Sequence, residues 1–372
     1  MKRDTTISIC KAIAIILMVM GHAECPQAIS TFIYEFHMPV FFITAGYFFS
    51  LKYIDDEAVF VKKRLKGLYI PFVKWSVFFL IIHNWMFDIG LLNEKYGNIT
   101  GGVTHPYSFH QAQQNLWNII TAMGSYDQFL CGTFWFFRGL LVGSIVYLIV
   151  FKLLDNLLRK TKRNADFRTL AIPIAVCLIM LLIGAWKTGE GLKIVNLIQG
   201  GYREIMGTFF FGCGFLFRQL QQHYRVSLWS TLLCFGVVLL FARLSPACLD
   251  WRPSFRQFIS FPLPAVCGFL MIYNVSSWLN RHNGIVKRFL VYCGNNTLYI
   301  FIFHIVSFKL VSIIKIVYYG LDYQQIGCHL VIHDHAKEDL FWILYTIAGV
   351  GVPLAWNYAY RKLKEQAKSI IS

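Results

Sequence analysis

The chain has 372 residues, of which 56% are apolar, 17% aromatic and only 15% charged, and long apolar runs recur from end to end. That pattern excludes an ordinary soluble domain and points to a membrane protein. A net charge of +16 would suit a nucleic acid, but Lys and Arg cluster between the apolar runs, as on a cytoplasmic membrane face, so nucleic acid is not expected as a partner.

The N-terminus, with Lys2 and Arg3 before an apolar stretch, looks like a signal peptide but lacks a small-x-small cleavage site. It reads as an uncleaved first span. Runs of spanning length fall at roughly 7–24, 30–50, 67–87, 134–155, 169–187, 203–220, 228–245, 258–279, 293–317 and 340–360. The expectation is an all-α, polytopic bundle of about ten transmembrane helices, a single integral-membrane domain over residues 1–372. The sixth run carries Gly207, Gly212 and Gly214, suited to close helix packing. Sorting the connecting segments by side puts 21 basic residues on the side of the termini and eight on the other. The positive-inside rule then places both termini in the cytoplasm.

On this topology the segment 88–133 is a long extracytoplasmic loop with no clear element of its own, a lid or binding loop by length. The segment with His329, His333, Asp334 and His335 also lies outside; its HxxxHxH spacing reads as a solvated loop, and no metal is expected. Ten cysteines fall singly, without CxxC or Cys/His ligand spacing, and read as buried thiols. No Walker loop, dinucleotide fingerprint, GxSxG elbow or HExxH occurs, which argues against an ATPase or a soluble-type hydrolase.

Lys11 and His22 lie eleven residues apart on the first run, so they share a helix face about 16 Å apart along the axis. Ionisable groups on a membrane helix usually face a bundle interior or a wet cavity. Lys11 falls near the cytoplasmic end and His22 near the outer end. His37 opens the second run beside Pro39, Trp135 and Arg138 share a face at the start of the fourth, and His304 lies on the ninth, with Lys309 and Lys315 beyond. Thus His22, His37, Arg138 and His304 approach the outer half of the bundle, where a histidine suits general-base work. Each alone is ordinarily a hydrogen-bonded packing residue; the convergence favours a site. The basic entry Lys62, Lys63, Arg64 and Lys66 reads first as a topology signal with lipid-phosphate contacts, and second as a cation cluster receiving a phosphorylated donor.

These residues resemble acyltransferase family 3, the integral-membrane O-acyltransferases that decorate bacterial surface polysaccharides. KAIAIILMVMGH at 11–22 is similar to the family's basic-x10-His pattern, and FHMPVFFITAGYFF at 36–49 to its second span. KKRLKGLYIPF at 62–72, TFWFFRGLLV at 133–142 and GNNTLYIFIFH at 294–304 follow in the family's order. The resemblance, closest to sugar O-acetylase-like members, implies a catalytic His22 with Lys11 as its basic companion. It also implies Arg64, with Lys63 and Lys66, on the acyl-CoA donor, and His37, Trp135, Arg138 and His304 on the acceptor or oxyanion side. Two positions depart from the pattern: Gly67 stands where a second arginine is usual, and Ser8 where an acid is usual. No hydrolase-like domain is expected after the tenth run.

The implied reaction is transfer of acetyl from acetyl-CoA, a co-substrate and not a bound cofactor, to a hydroxyl of a polysaccharide or lipid-linked glycan at the bacterial inner membrane. Transfer of a larger acyl group such as succinyl onto a periplasmic glucan is the alternative. A proton-coupled transporter using Lys11, His22 and His304 is a third, but it predicts paired broken helices, and the two halves show no matching interruptions.

Overall fold

A bilayer tolerates only backbone that satisfies its own hydrogen bonds, and each of the ten apolar runs lies on helix. The structure, a computed structural model, describes residues 4–97, 105–124, 129–158, 167–192, 201–249, 252–332 and 339–371, and no strand occurs among them. The main helices are α1 (Thr5–Gly21), α2 (Gln27–Tyr34), α3 (His37–Tyr47), α4 (Ile70–Asp88), α5 (Phe109–Ala122), α6 (Trp135–Leu157) and α7 (Ile172–Gly189). They continue with α8 (Tyr202–Leu220), α9 (Leu228–Leu244), α10 (Pro262–Arg281), α11 (Ile285–Asn295), α12 (Thr297–Tyr319) and α13 (Phe341–Ile371).

Six described stretches are helical, long and apolar enough to cross a membrane: Gln27–Tyr47, Glu57–Asp88, Leu130–Leu157, Phe167–Gly189, Phe255–Arg281 and Thr297–Tyr319. Thr5–Gly21 and Leu228–Leu244 are apolar but shorter. The chain is therefore a multi-pass membrane protein.

The first helix is the axis of the bundle. Asp4 caps it by accepting the N–H of Ile7, and the Tyr47 hydroxyl lies 3.1 Å from the same carboxylate, tying α1 to α3. Around α1 pack α2, α3, α10, α11, α12 and α13. Its neighbour α3 meets α8 through Gly46 and Gly214: a Cβ at either would overlap a carbonyl oxygen of the facing helix, of Phe211 or Ile43. Small residues are what let membrane helices approach this closely.

Helices α4 and α7 are each preceded by a wide π turn, Leu65–Tyr69 and Phe167–Ala171, with a proline, Pro71 or Pro173, as the second residue after it. Pro71 has no N–H to offer the carbonyl of Gly67, and the N–H of Ile70 reaches back five residues to Leu65.

The segment 88–133 does contain an element, contrary to the expectation of a loop without one. Ser108 and Gln111 form a reciprocal capping box that starts α5. Asn84 pairs with both backbone groups of Tyr107, and the Tyr69 hydroxyl donates to Ile120 at the other end. Helix α5 thus runs antiparallel along α4 over about 22 Å. Its polar residues (His110, Gln113, Gln114) hid this helix from a search for apolar runs. Residues His333, Asp334 and His335 of the HxxxHxH spacing lie outside the described residues; among the described residues no cluster of His, Cys, Asp and Glu fits a metal ion.

Candidate active site

Lys11, Ile15, Met18 and His22 recur at helical spacing on α1 and line two adjoining cavities. The cavity at the Lys11 end of α1, called inner for its place on the expected topology, is about 260 Å³ and is bounded by Lys11, Ile15, Thr44, Gly67, Leu68 and Thr297. The outer, about 200 Å³, is bounded by His22, Tyr34, His37, Trp135, Arg203 and Leu249. Met18, Met38 and Phe301 line both and form the neck between them. Glu35, fully buried at the break between α2 and α3, accepts the N–H of Ala247 and so fixes the turn that supplies Leu249 to the outer wall.

Three histidines meet at the His22 end of α1. The His22 ring lies 5.5 Å from that of His304 and 6.3 Å from that of His329, centroid to centroid. The His304 Nδ1–H donates to the carbonyls of Ile300 and Phe301, which leaves Nε2 a bare acceptor, buried without a hydrogen-bond partner among the described residues. A neutral His304 therefore has no N–H left for an oxyanion; beside His22 it can only accept. His37 likewise commits its Nδ1–H to Ile33 and turns its ring edge against Tyr34.

His22 terminates α1. Its carbonyl would normally bond the N–H of residue 26, but that residue is Pro26, which has none. His329 fills the place: its Nε2–H donates to the His22 carbonyl at 3.0 Å. The Tyr34 hydroxyl donates to the carbonyl of Gly21 at 3.1 Å. Burial holds the His329 pKa down at about 4, so the ring is neutral and able to be this donor through one nitrogen.

Of the residues singled out from sequence, Lys11, His22, His37 and Trp135 come to the cavities, and His304 comes to His22. Arg138 does not line them. Its Nε lies 3.2 Å from Glu204 on α8, both side chains buried, because the aromatic start of α6 turns Arg138 into the bundle. The outer cavity takes its cation from Arg203 instead, whose guanidinium stacks on Trp135 at 3.9 Å. On the inner side Arg64 packs over Phe60 and Phe211, Lys63 donates to Tyr53, and Lys66 is exposed. It is Gly67 and Leu68, one turn on, that border the cavity. Lys309 and Lys315 are structural: Lys309 donates to the carbonyls of Ile326 and Cys328 at 2.5 and 2.6 Å, and Lys315 pairs with Asp339 at 2.8 Å.

Sequence reasoning missed Arg203, Tyr34 and the role of His329. The signal for the last was present: a proline four residues after His22 leaves a helix-end carbonyl without a backbone N–H, open to a side-chain donor.

A sequence model of the acyltransferase domain of acyltransferase family 3 matches residues 4–360. The chain belongs to that family. No curated protein and no solved structure matches it.

Proposed function

Because the chain is a membrane acyltransferase, we propose that it is an inner-membrane O-acetyltransferase. It moves acetyl from cytoplasmic acetyl-CoA to a hydroxyl of a cell-surface polysaccharide or lipid-linked glycan. Ten helices cross the membrane in this reading, with both termini in the cytoplasm. The observation that carries it is the pair of adjoining cavities joining Lys11 to His22: one route admits a thioester from one side and presents a histidine at the other.

The donor enters beside Lys11 and Gly67, with Arg64, Lys63 and Lys66 around the mouth as its phosphate partners. The acetyl group passes the neck of Met18, Met38 and Phe301. The sugar stacks on Trp135 and directs a hydroxyl to His22. The bare acceptor of His304 takes the ring N–H of His22 as the site closes on substrate, leaving the other His22 nitrogen as base. As the sugar oxygen bonds to the acetyl carbon, His22 takes its proton. The carbon–sulfur bond then breaks, and the proton passes to the departing thiolate, giving the acetyl ester, free CoA and neutral His22. Arg203 faces the oxygen that gains charge.

The test is transfer of radiolabelled acetyl from acetyl-CoA to cell-envelope glycan in membranes, wild type against His22→Ala. Label in the wild type and none in an inserted, folded variant is the expected result. Equal label in both would remove His22 from catalysis. Arg203 in the outer cavity favours a second arm with succinyl-CoA, whose free carboxylate a cation would hold. Labelling from succinyl-CoA alone would replace acetyl by that group.

A further inference from the structure

The segment 321–332 is not a solvated loop but a buried strap across the outer end of the bundle. Ile326, Gly327, Cys328, Leu330 and Val331 are all buried. From below, the Lys309 ammonium holds two of its carbonyls. From above, Asn93 donates to the carbonyl of Gln324, and Lys95 and Tyr96 both bond Asp322. A Cβ at Gly327 would strike the Asn93 side chain, so the strap is closely fitted. One ring of this segment turns inward, and it is that of His329.

Its destination is the one carbonyl of α1 that the sequence strips of a backbone partner. Past His22 the chain reverses through Ala23 and Glu24, the latter at φ +54°, a conformation that costs a residue with a Cβ about 1 kcal/mol or more. Such a turn persists only where its surroundings hold it. Phe308, fully buried, stands 5.8 Å from both His304 and His329, the two rings that meet His22.

We propose that His329 is a positioning residue for His22: delivered by the Lys309-pinned strap, its Nε2–H caps the His22 carbonyl and fixes the backbone from which the base projects. This rests on His22 being the base. His329 is faced by the His22 and His304 rings, by Phe308 and by the Lys309 ammonium. The positive charge and the burial both favour a neutral ring, the form in which Nε2 carries the proton to the carbonyl.

The experiment compares His329→Leu, His329→Gln and His22→Ala in membranes, with radiolabelled acetyl-CoA and cell-envelope glycan as probes. A leucine fills the space but donates nothing; a glutamine amide restores an N–H near the position of Nε2. Misplacing a base by about 1 Å costs about 100-fold, so His329→Leu is expected to lose kcat on that scale with the KM for acetyl-CoA unchanged. His329→Gln is expected to recover most of it, and the acid limb of the pH–rate profile is expected to move in the leucine variant. If His22→Ala abolishes transfer while His329→Leu keeps the wild-type kcat, the positioning role is overturned and the base stands. If Gln is no better than Leu in equally stable proteins, the hydrogen bond is not what matters and the proposal also fails. Transfer surviving in His22→Ala overturns both readings. Should His329→Leu not accumulate, His329→Asn, whose shorter amide cannot reach the His22 carbonyl, takes its place: a kcat lowered on the same scale supports the role, and a wild-type kcat overturns it.

Discussion

Arg138 Nε lies 3.2 Å from Glu204 Oε1, and each side chain is only 5% exposed. The pair joins α6 to α8 beneath the outer cavity. Removing one partner of a buried pair strands the other charge and costs about 3–5 kcal/mol. Glu204→Ala should therefore lower the unfolding temperature in detergent sharply, while the double variant Arg138→Leu/Glu204→Leu should recover much of the loss. An unchanged transition in Glu204→Ala would mean that the pair is not felt.

Acid should loosen the strap before it unfolds the bundle. The His329 pKa is held at about 4 against an ordinary 6.5, chiefly by burial. The unfolded or detached segment thus binds a proton more readily than the folded one. Stability is complete above about pH 6.5 and falls as pH drops toward 4, by at most about 3 kcal/mol. Hydrogen exchange of residues 321–332 should accelerate across that window, and the acceleration should vanish in His329→Gln.

Gly67 borders the inner cavity with open space where a Cβ would stand. Gly67→Arg should fold normally and bring a guanidinium to the mouth. With acetyl-CoA as the proposed donor, one added charge-assisted hydrogen bond to its phosphate would lower its KM about tenfold. A KM left unchanged or raised would place the donor phosphates elsewhere.

The contact of α3 with α8 has no room for a methyl group at Gly46. Overpacking of this kind costs about 1–3 kcal/mol. Gly46→Ala should reduce thermal stability, whereas Gly236→Ala on α9, where nothing stands within 4 Å of the new carbon, should leave it level or raise it. Equal behaviour of the two would mean that the close approach is relaxed in the membrane.

What was readable in the sequence follows from period and run length. The shared face of Lys11 and His22 comes from 3.6 residues per turn, and both cavities open along it. The apolar runs point to helix because runs of about 20 residues fit a helical span, whereas barrel strands are shorter and alternate. Pairings across hundreds of residues leave no such trace. Arg138 looked available because Glu204, 66 positions on, is an ordinary acid in a glycine-rich run. His329, 307 positions from its carbonyl, resembled a loop histidine because the Lys309 that buries its neighbours lies on another element. Helix α5 escaped for the opposite reason: its capping box is a strong signal, but its polar residues do not register as a membrane run.

The neck of Met18, Met38 and Phe301 bears on the cell's energy supply as well as on the reaction. A passage joining two faces of an energised membrane would discharge it if water filled its length, because protons move along hydrogen-bonded water. Three apolar side chains between the two cavities disfavour a continuous water file, as hydrophobic constrictions do in gated channels. Flexible methionines can still part for an acyl chain. In the proposed reaction, the same three residues that admit the acyl group would thereby insulate the proton gradient.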